Sequence, residues 1–177
     1  MTSETAGLLE HYLERGREPW NVSLEAAWLD YELRAWVRPR LPVRWPARAC
    51  NIGIGVGLWD DWLGHELGVA ITSVDRDAEV CRTFAVRQRR EGHPFPARVV
   101  CGDFCDLGLA GFDVITIVGS TLAETGDRAE LERAALAALA PRGVLLVADV
   151  GNREPPVDCE LRRLGEIWIA FRAIVSG

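Results

Sequence analysis

From Arg48 onward, short apolar runs alternate with stretches whose apolar positions recur at helical spacing. Five largely apolar runs have strand length: Arg48 to Ile52, Ala70 to Val74, Arg98 to Cys101, Phe112 to Val118 and Gly143 to Ala148. Between most of them, Leu58 to Leu67, Ala78 to Glu91 and Thr125 to Ala140 carry the period of a helix. Strands that are apolar throughout need cover on both faces, which helical crossovers on a parallel sheet provide. The pattern predicts a doubly wound α/β sandwich with a mainly parallel sheet.

Two helices precede this core. Residues 3 to 16 place Leu8, Leu9, Tyr12 and Leu13 on one stripe, with Ser3 or Thr5 as cap and Gly16 as stop. A second helix runs from about Ser23 to Val37, with Leu24, Ala27, Trp28, Tyr31 and Ala35 aligned. Pro39 and Pro42 end it, and RPRLPVRWPAR leads to the first strand. After the fifth strand only DVGNREPPVD, Asp149 to Asp158, separates the next apolar stretch. A parallel crossover needs about a dozen residues or more, so the closing segment predicts a C-terminal antiparallel strand or hairpin around Leu164-Gly165. A chain of 177 residues suits one domain. Its parts are N-terminal helices (1–47), a central core (48–150) and a C-terminal hairpin (151–177).

Composition narrows the classes. Hydrophobic residues make up 49% and charged residues 26%, a globular profile. No apolar run approaches a membrane span, and the first residues lack the basic and apolar regions of a secretory signal, so a cytoplasmic protein with no membrane partner is expected. A net charge of −6 argues against a nucleic-acid partner, since neutralising phosphates needs a basic face. Cys50, Cys81, Cys101, Cys105 and Cys159 are odd in number and mostly lie in apolar runs, so reduced thiols are expected. Cys101 and Cys105 have no nearby partner pair, and no metal site is expected.

Candidate chemistry follows the strands, because open α/β sheets bind ligands at the carboxyl ends of their strands. The first strand runs into Gly53, Gly55 and Gly57 and then a helix, a turn that lets a ligand approach the backbone closely. The second strand ends in Asp75, an acceptor able to take both hydroxyls of a ribose. Asp77 is better placed to cap the helix at Ala78. The third strand ends in Gly102-Asp103, whose carboxylate can accept from a purine amino group while the Phe104 N–H donates to a ring nitrogen. Helix capping and ordinary turn roles are the competing readings for both acids.

In this order and spacing, CNIGIGVG, ITSVDRD, VVCGDF, FDVITIVGS and LAPRGVLLVAD resemble the motifs of the class I S-adenosylmethionine-dependent methyltransferases, over roughly residues 48 to 150. The resemblance implies a Rossmann-like fold with S-adenosylmethionine as cofactor. Gly53, Ile54, Gly55 and Gly57 would pass under its methionine part and ribose, and Asp75 would hold the ribose. Arg76, Asp103 and Phe104 would lie at the adenine, Val118 and Gly119 near the sulfonium, and Trp59 beside the amino acid part. The pattern departs at Asn51, where the family usually has an acid; Asp60 or Asp61 is the available compensation. Leu58 fills the third glycine place of the dinucleotide fingerprint, which disfavours a nicotinamide enzyme.

Methyl transfer is an in-line displacement that relies on positioning, and needs a base only when the acceptor must lose a proton. No catalytic residue is assigned. His11, Tyr12, Tyr31, His65 and His93 are candidate bases, each with an ordinary surface or packing role as the competing reading, and Glu124 lies just beyond the fourth strand. No N-P-P-Y-like sequence follows that strand, which weakens a nucleic-acid or protein acceptor. Four of the seven tryptophans fall in the first 45 residues, where they serve either packing or an aromatic lid. Tyr12, Trp20, Tyr31 and Glu124 are the candidate substrate residues, with a homodimer partner as another source of a cap. The expected function is methyl transfer to O or N of a small, natural-product-like molecule. The alternative is a protein of the same fold that does not methylate.

Overall fold

The computed structural model describes residues 24–42, 47–119, 121–152 and 154–177. The chain divides into two compact units, Met1–Pro39 and Arg40–Gly177. The described part of the first unit is α1 (Leu24–Val37) and the start of a short 3-10 turn, with an Arg34–Asp30 pair one helical turn apart at 2.9 Å. Tyr31 and Ala35 lie on its exposed side, whereas Trp36 and Val37 are buried. The expected stripe through Tyr31 is therefore rotated. A second set at the same period, Leu29, Leu33, Trp36 and Val37, carries the bulkier side chains and takes the less exposed face.

The second unit is built on seven strands: β1 (Ala49–Ile52), β2 (Thr72–Asp75), β3 (Arg98–Cys101), β4 (Phe112–Gly119), β5 (Leu139–Gly151), β6 (Glu160–Leu164) and β7 (Ile167–Val175). They form one sheet in the order β3-β2-β1-β4-β5-β7-β6, with the first five parallel and β7 antiparallel to both neighbours. The chain winds outward from β1 through α2 (Leu58–Leu67) and α3 (Ala78–Glu91), then returns to the other side of β1 as β4. That reversal is the topological switch point, with its crevice over the carboxyl ends of β1 and β4.

Register assigns the faces. Cys50, Ile52, Ile115, Ile117, Leu145 and Val147 pack with Phe104, Leu122, Leu131, Ala135 and Ala138. The last three lie on or cap α5 (Arg128–Ala137), and Leu122 on the one-turn helix α4 (Thr121–Glu124). On the other face Ile54, Val80, Cys81 and Phe84 pack with Ala97 and Val99. α5 is shorter than expected because Asp127 caps it by accepting from Glu130 N at 2.9 Å, and because Leu139 already pairs with Phe112 as strand. The closing hairpin is present, and its place is now fixed against β5. Gly165, at φ 58°, opens its two-residue turn between Leu164 and Ile167.

Candidate active site

The glycine turn is held from below by β2. Gly53 N donates to Val74 O at 2.8 Å, and Ile54 N donates to Asp75 Oδ2 at 2.8 Å. Asp75 Oδ1 accepts from Asp77 N at 2.9 Å. Each carboxylate oxygen thus takes one backbone N–H and keeps lone-pair capacity for a ligand, and the side chain is partly exposed. Asp77 also caps α3, accepting from Glu79 N and Val80 N.

The three glycines do different work. A Cβ on Gly53 would sit 2.1 Å from Thr121 Oγ1, so this glycine admits the loop after β4. A Cβ on Gly57 would meet the Phe84 ring at 2.3 Å, so this one lets α2 and α3 pack. Gly55, at φ 54°, faces open space within 4 Å and is the glycine a ligand can approach. Gly57→Ala combines overpacking with a left-handed φ of 76°. It is expected to destabilise the fold by about 1–3 kcal/mol, read from the urea midpoint.

Beneath the turn lies a row of small polar side chains. Ser73, Asn51 and Thr116 are in register on β2, β1 and β4, and all three are fully buried. Asn51 Nδ2 donates to Gly53 O at 2.9 Å and to both Asp60 oxygens at 3.0 Å, while its Oδ1 accepts from Thr116 Oγ1 at 2.8 Å. The Asn51 side chain is therefore committed to hydrogen bonds within the core. It shapes the turn through Gly53 O. Asp60 is buried with it, and burial is the main cause that raises its carboxyl to about 7, against the pull of Ser73 and Asn51. The Ser73 hydroxyl faces this carboxyl without completing a hydrogen bond of full geometry.

Trp59 lies under the same turn. Its ring is buried, Nε1 donates to Thr116 Oγ1 at 3.2 Å, and it stacks at 4.5 Å on Trp62, so it packs α2 onto the sheet. Asp61 turns away from the crevice, toward α3. Arg87 there is buried and binds Val56 O at 2.6 Å, Gly57 O at 3.1 Å and the Asp61 carboxylate. Gln88 Nε2 adds a bond to Asp61 at 3.1 Å. Arg87 thus clamps the end of the glycine turn. Its signal was its place three residues after Phe84, on the apolar stripe of α3.

The other expected residues gather at the strand ends. Asp103 is exposed and accepts from Cys105 N at 3.0 Å, while Phe104 beside it is buried in the core. Val118 and Gly119 end β4, partly exposed. Arg76 reaches across the crevice and donates to Glu124 O at 2.8 Å. Near the end of β5, Asp149 is buried and pairs with Arg128 at 2.7 Å. Tyr31 is exposed on α1, in the other unit. Tyr12 and Trp20 lie outside the described residues.

Solved structures show which fold carries this arrangement. The chain is similar to a SAM dependent methyltransferase from Aquifex aeolicus with TM-score 0.62 at 12% identity, covering 99% of this chain and 100% of that one. The chain has the class I methyltransferase fold. It is also similar to the [4+2]-cyclase SpnF, with TM-score 0.62 at 24% identity over 72% of this chain. A third structure, described as a sarcosine dimethylglycine methyltransferase from Galdieria sulphuraria, matches with TM-score 0.61 at 18% identity over 82%. The chain spans 48% and 60% of the lengths of these last two. No protein-family model and no curated protein matches the sequence. Among the described residues, no helix is long and apolar enough to cross a membrane, and no cluster of three or more His, Cys, Asp or Glu is arranged to hold a metal ion.

Proposed function

We propose that the protein is an S-adenosylmethionine-dependent methyltransferase acting on O or N of a small-molecule acceptor. The observation that carries this reading is Asp75, which fixes the glycine turn through Ile54 N and keeps lone pairs outward at the switch point. The site fits an adenosyl group. Gly55 leaves open backbone, Asp75 accepts ribose hydroxyls, and Asp103 with the Phe104 N–H meets an adenine edge. Bound there, the cofactor supplies an electrophilic methyl group. The protein's part is positioning: Gly119 and Val118 floor the crevice, and Thr121, held to Val118 O at 3.2 Å, orients what lies above. Arg76 and the backbone of Glu124 border the same opening.

A second reading, a protein of this fold that does not methylate, is favoured by Asn51, whose amide is wholly committed to the core. The neighbour named as a cyclase shows that such names occur among similar structures. Calorimetric titration with S-adenosylmethionine, S-adenosylhomocysteine and NAD separates the readings. Binding of both methionine derivatives without NAD is expected, and Asp75→Ala should weaken it at least about tenfold. No heat from either methionine derivative would sink the methyltransferase reading.

A further inference from the structure

Two thiols meet where β2 gives way to α3. Cys81 Sγ lies 3.4 Å from the carbonyl oxygen of Asp75 and 3.9 Å from that of Val100. Cys101 Sγ lies 4.0 Å from the carbonyl oxygen of Arg76. Asp75 and Arg76 are consecutive, Val100 and Cys101 are consecutive, and Asp75 pairs in register with Cys101. The two sulfurs therefore crowd one backbone corner. Burial, then the neighbouring Cys101, pushes the Cys81 thiol up to about 12. Cys81 is buried while Cys101 is exposed. One sulfur is thus reachable by an oxidant and the other is shielded at the same backbone corner, the arrangement of an attacking and a resolving thiol.

We propose that Cys81 and Cys101 are a redox-active pair that a peroxide converts to a disulfide, and that this closure weakens the neighbouring ligand cradle. In the first step the Cys101 thiolate attacks a peroxide oxygen, the O–O bond breaks, and a sulfenic acid forms with release of hydroxide. In the second the Cys81 sulfur attacks the sulfenic sulfur, the S–O bond breaks, and hydroxide leaves as water with the Cys81 proton. The two thiols lose two electrons, and hydrogen peroxide ends as two waters. A dithiol reductant reverses the change. The new bond ties the first turn of α3 to the end of β3 and pulls on the carbonyls of Asp75 and Arg76. Through Asp75 it reaches Ile54 N and the glycine turn. The effect on the cradle rests on the function proposed above; the disulfide itself does not.

The full chain, its Cys81→Ser variant and its Cys101→Ser variant are treated with hydrogen peroxide, alkylated and mapped by peptide mass spectrometry. One disulfide joining residues 81 and 101 is expected in the wild type, absent from both variants and reversed by dithiothreitol. Oxidation should weaken S-adenosylmethionine binding about tenfold or more and change amide exchange at residues 75–77 and 102–106. Pairing of Cys101 with Cys105, or oxidation of Cys101 past the sulfenic acid with Cys81 untouched, overturns the pair. A mapped 81–101 disulfide with unchanged exchange overturns the coupling. If the reduced protein binds no methionine derivative, the methyltransferase reading fails alone, and the peptide map and exchange still decide the pair.

Discussion

Arg87→Met is expected to lower unfolding free energy by about 3–5 kcal/mol, the range for breaking a buried ion pair from one side. The guanidinium is buried 5.1 Å over the Phe84 ring and serves three acceptors at once, Val56 O, Gly57 O and the Asp61 carboxylate. Its Nε makes no hydrogen bond, and the Glu91 carboxylate stands 3.7 Å away. Methionine keeps much of the volume and none of the donors. Val56 O loses its side-chain donor, Gly57 O keeps only the Asp61 N–H at 3.1 Å, and the Asp61 carboxylate keeps Gln88 Nε2 and the His93 ring, 3.6 Å off, as described neighbours. Burial already raises the Asp61 carboxyl, and losing the cation raises it further. Small domains have total stabilities of about 5–15 kcal/mol, so the variant should be only marginally folded at room temperature.

Three further proteins make the expectation specific. Arg87→Lys keeps a charge but cannot span three acceptors, and should fall between wild type and Arg87→Met. Asp61→Leu leaves the cation unpaired. The double variant Arg87→Met with Asp61→Leu should recover part of the loss, because no unpaired charge then remains in the core. Urea midpoints at neutral pH read all four. A double variant whose loss equals the sum of the singles would show that the two side chains act separately.

The strands and the glycine turn were legible because their signals are local. Apolar runs bounded by Gly53, Asp75, Gly102 and Gly119 set the strand ends, and five parallel strands leave few ways to wind. What side chains do across the sheet was not legible in that way. Asn51 and Asp60 stand nine residues apart, and only the packing of α2 on β1 turns the acid inward. Ser73 and Thr116 did carry a signal, as hydroxyl residues inside otherwise apolar strands, but one that register alone makes into a row. Arg87 is one charge among several in RQRRE, and burial singles it out. The end of α5 depended on a competition between Ala138 as helix cap and Leu139 as strand partner of Phe112, which periodicity does not weigh.

Asp60→Asn is expected to be more stable than wild type above pH 7 and equal to it near pH 4. The Asp60 carboxyl is raised from an ordinary value of 3.8 to about 7. Between those values the folded protein holds a proton that the unfolded chain releases, so rising pH favours unfolding. The loss runs at about 1.4 kcal/mol per pH unit and reaches about 4 kcal/mol once the folded carboxyl ionises. Asparagine keeps the shape, accepts from Asn51 with its one oxygen, and turns its new N–H toward the Ser73 hydroxyl, which has no partner of its own. The groups facing Asp60 are Asn51, Ser73, the Asp61 charge and the Cys50 thiol. Asp61, also raised, contributes with the same sign. Glu132, lowered by Arg172 and Arg128 despite its burial, contributes with the opposite sign. Both remain in the variant, so the difference between the two proteins isolates Asp60. Urea unfolding at pH 4, 5.5, 7 and 8 should show a gap that opens with pH, and a gap of constant size would refute a buried, titrating Asp60. The same titration bears on the crevice. As pH rises past 7, the negative charge that the family pattern places at the end of β1 forms instead on α2, against Asn51 Nδ2, which holds Gly53 O and with it the start of the glycine turn.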